Sequence, residues 1–318
     1  MLASTSFDPE LRPVVARMPV RGDVYTDVPA TRASFRALVA GALRDPAPLA
    51  IRDLVLPCGV PVRIFEPPQP PQPPQPPEPG AAPRPLVVYV HGGGFVYGSA
   101  ADGILAANRL VPELGATVVS VEYRLAPEHR FPAGLDDCYA ALEWAAAHAR
   151  QLGCDPARLA VMGPSAGGCL AAGVALRARD RGGPAIAFQC LQIAVLDDRR
   201  TSRSAREIVD ARLVDGPGIA RTWATYLAAP ATAEAAPLRA ASLANLPPAY
   251  IQTCELDPVR DDGLDYARRL LDAGVSVELY NVPGAFHAFE LLAPDAALTR
   301  HVRDHWIRAM RRVLAPRD

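Results

Sequence analysis

A serine between glycines is the first residue in this sequence whose setting suggests chemistry. Residues 161–168 read VMGPSAGG, in which Gly163, Ser165 and Gly167 form a G-x-S-x-G pentapeptide. An apolar run precedes it and a helical pattern follows, which is the strand–turn–helix context of a nucleophile elbow. There the serine lies on a strained turn that exposes its hydroxyl, and the glycines remove Cβ atoms that would clash. We therefore predict that Ser165 is the nucleophile of a hydrolase.

The partners of such a serine should follow it in the order acid, then histidine. His287 lies in the loop NVPGAFHAF after the strand-like segment VSVELY, and we predict that it is the activating base. Another strand-like segment ends in CELDPVRDDG, with Asp257 at its end. We predict that Asp257 orients the imidazole and stabilises its charged form, with Glu255 as the second choice. Asp261 and Asp262 open the next helix, where carboxylates complement the helix dipole.

Three glycines after a third strand-like segment suit the remaining requirement of this chemistry. Residues 87–99 read VVYVHGGGFVYGS, an apolar run followed by a histidine and the glycines. Attack on a carbonyl builds negative charge on its oxygen, and backbone N–H groups stabilise that charge where no side chain blocks their approach. We predict an oxyanion hole from the N–H groups of Gly93, Gly94 and Ala166. A plain turn or a phosphate loop fits less well, because neither GxGxxG nor GK[ST] is present here.

Composition narrows the class of protein. The chain has 318 residues, of which 50% are hydrophobic, and a net charge of −1. This length supports one large domain with or without a small accessory, and the balanced charge argues against a nucleic-acid partner. We find no membrane-spanning run, no secretory pattern, and no CxxC or zinc-ligand spacing among the six cysteines. We therefore expect a reduced, cytoplasmic protein, and the sequence does not indicate its oligomeric state.

The elements that must position these residues follow a regular pattern after about residue 85. Apolar strand-like runs alternate with helical segments, which predicts a mostly parallel sheet buried on both faces. Residues 1–50 predict mainly helix, and residues 51–66 predict a hairpin that turns at Cys58–Gly59. Residues 198–232 interrupt the pattern and predict an irregular or helical excursion over one end of the sheet. The apolar face of the helical segment TRASFRALVAGAL consists of Phe35, Leu38, Val39 and Leu43.

Two features stand apart from the predicted site. Residues 67–80 read PPQPPQPPQPPEPG, and their three-residue period is typical of polyproline II. We predict a lengthened loop between two strands, and the alternative is a ligand for a proline-recognising domain. His301 and His305 lie four apart in the terminal helix, but no third ligand or HExxH motif accompanies them. We therefore expect neither a metal nor a cofactor.

Taken together, these blocks resemble the hormone-sensitive-lipase-like branch of the α/β-hydrolases. The matching blocks, in the family's order, are HGGGF (91–95), YRLAPEHRFPAGLDD (123–137), GPSAGG (163–168), DPVRDDG (257–263) and GAFHAF (284–289). The resemblance implies the α/β-hydrolase fold, with helices on both faces of the sheet. It also implies an N-terminal helical cap in residues 1–50 and a catalytic domain in residues 51–318. The triad and oxyanion hole would be those given above, and His91 and residues 123–137 would be structural supports.

The resemblance also implies an activity, that of a serine carboxylesterase acting on short- to medium-chain esters through an acyl-enzyme. Its partner would be a small-molecule ester. An amidase or formamidase would use the same triad on a poorer leaving group, and a non-catalytic receptor would have lost a triad residue. One departure is Pro164, where most members have aspartate, which removes a carboxylate beside the serine but no triad member. We expect the pocket to be lined by Phe95, Tyr97, Trp223, Tyr226 and Leu227.

Overall fold

The structure is a computed structural model that describes residues 6–20, 22, 24–68 and 83–315. The predicted proline-rich loop, residues 67–80, lies outside these ranges except for its first two residues. The strands are β1 (Ala50–Val55), β2 (Pro61–Glu66), β3 (Arg84–Val90), β4 (Thr117–Val121), β5 (Cys154–Pro164), β6 (Phe188–Gln192), β7 (Ala249–Leu256) and β8 (Val277–Phe286). The helices are α1 (Arg12–Arg17), α2 (Val28–Ala42), α3 (Ile104–Leu114), α4 (Ala133–His148), α5 (Ala166–Arg181), α6 (Arg203–Glu207), α7 (Gly216–Tyr226), α8 (Arg260–Asp272), α9 (Phe289–Leu292) and α10 (Ala297–Leu314).

All the strands belong to one sheet, in the order β1-β2-β4-β3-β5-β6-β7-β8. The first two form the predicted hairpin, and β2 also pairs antiparallel with β4. Every later pairing, from β4 and β3 through to β8, is parallel. The predicted fold class, a mostly parallel sheet with helices on both faces, is therefore confirmed.

The uninterrupted apolar run of β3 reflects burial on both sides. Leu86 and Val88 belong to the core cluster that includes residues of α4 and α5. Val87 and Tyr89 point the other way, into a second cluster with residues of α3 and α10. A strand covered by helices on both faces needs apolar residues at every position, which is why no alternation appears in the sequence. The sheet is consequently a rigid layer between two packed cores.

The parallel strands bring distant loops to one edge of the sheet. Their carboxyl ends lie side by side, so the loops that follow β3, β5, β7 and β8 converge there. β6 is shorter than the apolar run 185–196 suggests, because the backbone turns at Ile193, which has a φ of 44°. In the described part of the chain, no helix combines the length and apolarity that a membrane crossing requires.

The N-terminal helices and the excursion cover this edge. α2 begins at Val28, where the Asp27 side chain accepts a hydrogen bond from the Ala30 N–H. α2 also contacts α9, the short helix after β8. Residues 198–232 contain α6 and α7, and Asp215 caps α7 by accepting from the Gly218 N–H. Two segments that lie far apart along the chain therefore lie over the same loops.

The close packing of α5 on β3 can be tested by a substitution at Gly167, near the start of the helix. An added Cβ would overlap the carbonyl oxygen of Val90 and approach that of His91. We predict that Gly167→Ala lowers the free energy of unfolding by about 1–3 kcal/mol, because two backbone segments must move apart. The matched control is Gly41→Ala in α2, where nothing lies within 4 Å of the added Cβ.

Urea unfolding of both variants gives the comparison. Gly41→Ala should match or exceed the wild type, by up to about 1 kcal/mol, because alanine favours a helix over glycine. Equal stability of Gly167→Ala and the wild type would contradict the close contact between α5 and β3.

Candidate active site

Ser165 lies on the turn between β5 and α5 in a backbone conformation that side chains rarely adopt. Its φ is 55° and its ψ is −120°, so the residue is strained. The turn is held by the neighbouring strand β6, since the Ser165 N–H donates to the Gln192 carbonyl at 2.7 Å. A Cβ on Gly163 would clash with the backbone of Gly167 and with Val90. Glycine is therefore required at this position for the turn to form.

The structure brings His287 and Asp257 to this serine. The His287 Nε2 lies 2.8 Å from the Ser165 Oγ, and its Nδ1 lies 2.7 Å from an Asp257 carboxylate oxygen. His287 directly follows β8 and Asp257 directly follows β7, so the sheet fixes both. Asp257 is fully buried, and its other carboxylate oxygen accepts from the Val259 N–H at 3.0 Å. A buried carboxylate on one imidazole nitrogen leaves the other nitrogen as an acceptor for the serine proton.

The other carboxylates near Asp257 have separate tasks. Glu255, the second choice for the acid, accepts from the Gly284 N–H at 2.7 Å and so anchors the end of β8 just before the histidine. Asp261 accepts from the Ser204 N–H, which ties α8 to the excursion. Asp262 accepts from the N–H groups of residues 196 and 197, and burial raises its pKa well above the ordinary value. Only Asp257 contacts the imidazole.

The glycine loop after β3 lies against the serine. A Cβ on Gly92 would come within 3.6 Å of the Ser165 Cβ. Gly93 and Gly94 have φ values of 119° and 58°, and a Cβ on Gly93 would overlap the Tyr97 carbonyl. Among the described residues, no acceptor is found for the N–H groups of Gly93, Gly94 or Ala166. The last of these is the first residue of α5, where helix geometry leaves backbone donors free.

His91 supports this loop from below. It is fully buried, its ring stacks on Tyr123 with centroids 4.1 Å apart, and its Nδ1–H donates to the Gly92 carbonyl at 2.8 Å. Burial lowers its pKa from the ordinary value to about 4, so the ring is neutral at physiological pH. The Tyr123 hydroxyl donates to the His91 carbonyl at 3.0 Å. Further along the same segment, the Ala126 N–H donates to the Phe95 carbonyl.

A cavity of about 330 Å³ opens beside Ser165. The apolar face predicted for α2 supplies part of its wall through Phe35, Leu38 and Val39, and the Phe35 ring packs on Tyr97. Pro164 also lines it and presents an apolar ring beside the serine. In the described ranges, no three His, Cys, Asp or Glu side chains are grouped to hold a metal ion.

The predicted pocket walls need correction. Of the five residues, only Tyr97 lines the cavity. The left-handed backbone at Phe95, with a φ of 62°, turns its ring into the core, where it stacks on Tyr226 at 3.8 Å. Trp223 packs at the edge of the same pair, and Leu227 packs against the core cluster. The structure therefore places Phe95, Trp223, Tyr226 and Leu227 outside the cavity wall. For Trp223 and Tyr226 the reason is that the buried face of α7 cannot be told from its cavity face without the neighbouring elements.

Other cavity residues had only indirect signals in the sequence. From α7 the wall takes Ile219 and Thr222, and from the segment before it Leu213 and Val214. These positions belong to the excursion, which was predicted to cover the sheet, but no pattern selected them individually. Six further polar residues of the wall were not anticipated, since they come from five separate segments of the chain. They are Tyr89, Asp102, Gln192, Glu290, Arg303 and Trp306.

Comparison with known proteins gives a consistent result. A family model for the alpha/beta hydrolase fold matches residues 87–291. The chain is 40% identical over 294 residues to Esterase LipI of Mycobacterium tuberculosis, covering 89% of this chain and 88% of that one. It is 38% identical over 309 residues to Carboxylesterase NlhH of the same organism, covering 93% of each. Among solved structures, Bacterial Heroin Esterase matches with a TM-score of 0.88 and 40% identity, covering 98% of this chain and 99% of that one.

The buried neutral His91 makes the stability of the fold depend on pH. Its folded pKa of about 4 lies below the ordinary value of 6.5, so the unfolded chain binds the extra proton first. Its contribution is therefore present above about pH 6.5 and is lost as the pH falls towards 4. Between pH 7 and pH 5 this should remove about 2 kcal/mol from the free energy of unfolding.

Urea unfolding at the two pH values tests this on variants. His91→Asn should lose about 2 kcal/mol less than the wild type over the same interval, because no imidazole is left to protonate. Tyr123→Phe is the control, since it keeps both the histidine and the stacked ring and should retain the pH difference. The same pH difference in His91→Asn as in the wild type would rule out the buried neutral imidazole as its source.

Proposed function

This chain belongs to the alpha/beta hydrolase family, and from that premise we propose that it is a serine carboxylesterase for short- to medium-chain esters. The single observation that carries the proposal is the hydrogen-bonded series from Asp257 through His287 to Ser165. Relatives named as esterases over nearly the whole length of the chain support the choice of ester substrates. The expected partner is accordingly a small-molecule ester. A cytoplasmic location and the lack of a nucleic-acid partner stay predictions from composition.

Acylation follows from the positions of the three side chains. The Ser165 Oγ attacks the ester carbonyl while the His287 Nε2, 2.8 Å away, accepts the hydroxyl proton. The buried Asp257 stabilises the imidazolium that forms. His287 then gives the proton to the leaving alkoxide, and the acyl group remains on the serine. Water, deprotonated by His287, releases the acid and restores the free hydroxyl.

The oxyanion hole is the second element of the proposal. The N–H groups of Gly93, Gly94 and Ala166 are its donors. Each is part of a fixed backbone, so it needs no reorganisation when charge develops on the carbonyl oxygen. Loss of one such donor costs about 2.7–4 kcal/mol of transition-state stabilisation in related chemistry. The glycines serve this purpose by letting the backbone approach the substrate.

Residues 1–50 act as a cap over the ester site of the catalytic domain, residues 51–318. In α2, the Arg32 Nε donates to the Val96 carbonyl at 2.8 Å, and its two terminal nitrogens hold Glu128. This joins the cap to the loop that follows the three glycines. The same helix adds apolar wall to the cavity. A cavity of about 330 Å³ is at the small end for ligand sites, which suits short to medium chains.

Replacement of Ser165 tests the nucleophile. Ser165→Ala should lower kcat for p-nitrophenyl butyrate by at least about ten-thousand-fold, because no other group can form the acyl-enzyme. A fluorophosphonate probe should label the wild type on the peptide that contains Ser165 and should not label the variant. The control is Ser242→Ala, which removes an exposed serine hydroxyl that does not line the cavity. Retained turnover in Ser165→Ala, or a label on another residue, would sink the assignment.

The choice of ester over amide has its own test. The wild type should hydrolyse p-nitrophenyl butyrate with a kcat/KM far above that for the p-nitroanilide of the same acid, because the amine is the poorer leaving group. Both substrates carry the same acyl chain, so the ratio isolates the leaving group. A higher kcat/KM for the anilide would favour the amidase alternative.

A further inference from the structure

The cavity beside Ser165 also includes a polar recess. Part of its wall there comes from Tyr89 on β3, Met162 on β5 and Ala106 on α3, which all belong to the core cluster between the sheet and α10. The recess therefore extends between the sheet and the helices α3 and α10. We call it the inner recess and define it by its polar residues, Tyr89, Asp102, Glu290, Arg303 and Trp306.

Two hydrogen-bond donors in the inner recess have no partner. Trp306 is 3% exposed, and its indole N–H finds no acceptor among the described residues. Tyr89 is 4% exposed, and no hydrogen bond of its hydroxyl to a described residue is present. Leaving a buried donor unpaired costs about 1–3 kcal/mol. The Trp306 N–H is such a donor, and because Trp306 and Tyr89 line the same cavity, an acceptor that enters the cavity can bind both donors.

The charged groups in the recess already have hydrogen-bond or ion-pair partners within the protein. Glu290 accepts from the Gln252 amide at 2.9 Å and pairs with Arg303 at 3.5 Å. Both Asp102 oxygens are used by Ser99, through its N–H and its hydroxyl. The Glu290 side chain is 19% exposed and lines the cavity, and burial raises its pKa. Burial likewise raises the pKa of Asp102 to about 6.

This charge balance selects the kind of ligand. Two carboxylates would repel an anion, and a cation would compete with Arg303 for Glu290. A neutral oxygen function avoids both costs, because it can accept from the Trp306 N–H and the Tyr89 hydroxyl. A hydroxyl group has a further advantage, since it can also donate to the free lone pairs of Glu290. The apolar wall between the recess and Ser165 suits the chain that would join this group to the ester.

We propose that the inner recess is a subsite for a hydroxyl or carbonyl oxygen carried by the substrate at a distance from its scissile ester. The preferred substrates would then be oxygenated esters and not simple alkyl esters. The proposal rests on the proposed esterase function, because the subsite is detected through its effect on the rate of ester hydrolysis. It adds a preference for a second polar group that neither the triad nor the oxyanion hole requires.

Matched ester pairs test the subsite in the wild type. One series comprises p-nitrophenyl esters from butanoyl to decanoyl, each beside its counterpart with a terminal hydroxyl in place of the methyl. A second series comprises alkyl acetates from butyl to decyl with the same exchange, so that either side of the ester can reach the recess. In one series, at the chain length that reaches the donors, the hydroxylated ester should have a kcat/KM about tenfold above its methyl counterpart.

Two variants connect that preference to the recess. Trp306→Phe and Tyr89→Phe each remove one donor and keep an aromatic ring. Each should lower the ratio of hydroxylated to methyl ester by about tenfold at the same chain length. Trp144→Phe and Tyr266→Phe are the matched controls, since neither residue lines the cavity and the Tyr266 hydroxyl is also buried and unpaired. The controls should leave both the ratio and the activity unchanged.

The outcomes separate this proposal from the one on which it rests. No turnover of any ester, with no labelling of Ser165, would overturn the esterase function itself. Turnover with methyl esters preferred at every length in both series would overturn only the subsite. A hydroxyl preference that survives both donor replacements would also overturn it, because the oxygen would then be held elsewhere. Where a variant does not fold, the wild-type length profile decides alone.

Discussion

The imidazole of His287 joins two oxygens that lie far apart along the chain, and its two hydrogen bonds constrain most of the architecture. Ser165 is 122 residues away in sequence and Asp257 is 30. Distances of 2.8 and 2.7 Å require that the ends of β5, β7 and β8 keep a fixed spacing. The mostly parallel sheet provides this rigidity, because β5 and β7 each pair with a strand on both sides and pack on a core at both faces.

Glycine-rich backbone segments form the other half of the site. The strained turn at Ser165 and the left-handed residues Gly93 and Gly94 would cost free energy in an isolated peptide. Here the surrounding packing holds them, with the neutral His91 and the Tyr123 hydroxyl bracing the loop from below. Gly167, which has no Cβ, lets α5 pack directly against β3. The strained turn at Ser165, the close packing of α5 on β3 and the free backbone N–H groups therefore all belong to the same part of the fold.

The sequence predicted the fold class and identified the side chains that meet here, for physical reasons that also explain its failures. The order of strand, loop and helix along the sequence shows which loops follow the carboxyl ends of strands. Ser165, Asp257 and His287 could therefore be selected from their local sequence context. The positions of Phe95 and Trp223 could not, because each depends on which face of a loop or helix meets a distant neighbour. The polar recess joins β3, α9 and α10, and no local pattern records that they meet. Residues 69–80, most of the predicted proline-rich loop, lie outside the described residues.

The central claim is that three side chains and three backbone donors act on one carbonyl carbon. A crystal structure of the protein inhibited by an alkyl phosphonate, whose tetrahedral phosphorus mimics the intermediate, would test it most directly. We expect phosphorus bonded to the Ser165 Oγ, one phosphonyl oxygen about 2.7–3.1 Å from the nitrogens of Gly93, Gly94 and Ala166, and the His287 Nε2 beside the leaving-group position. A phosphonyl oxygen pointing away from those nitrogens, or phosphorus on another residue, would contradict the account.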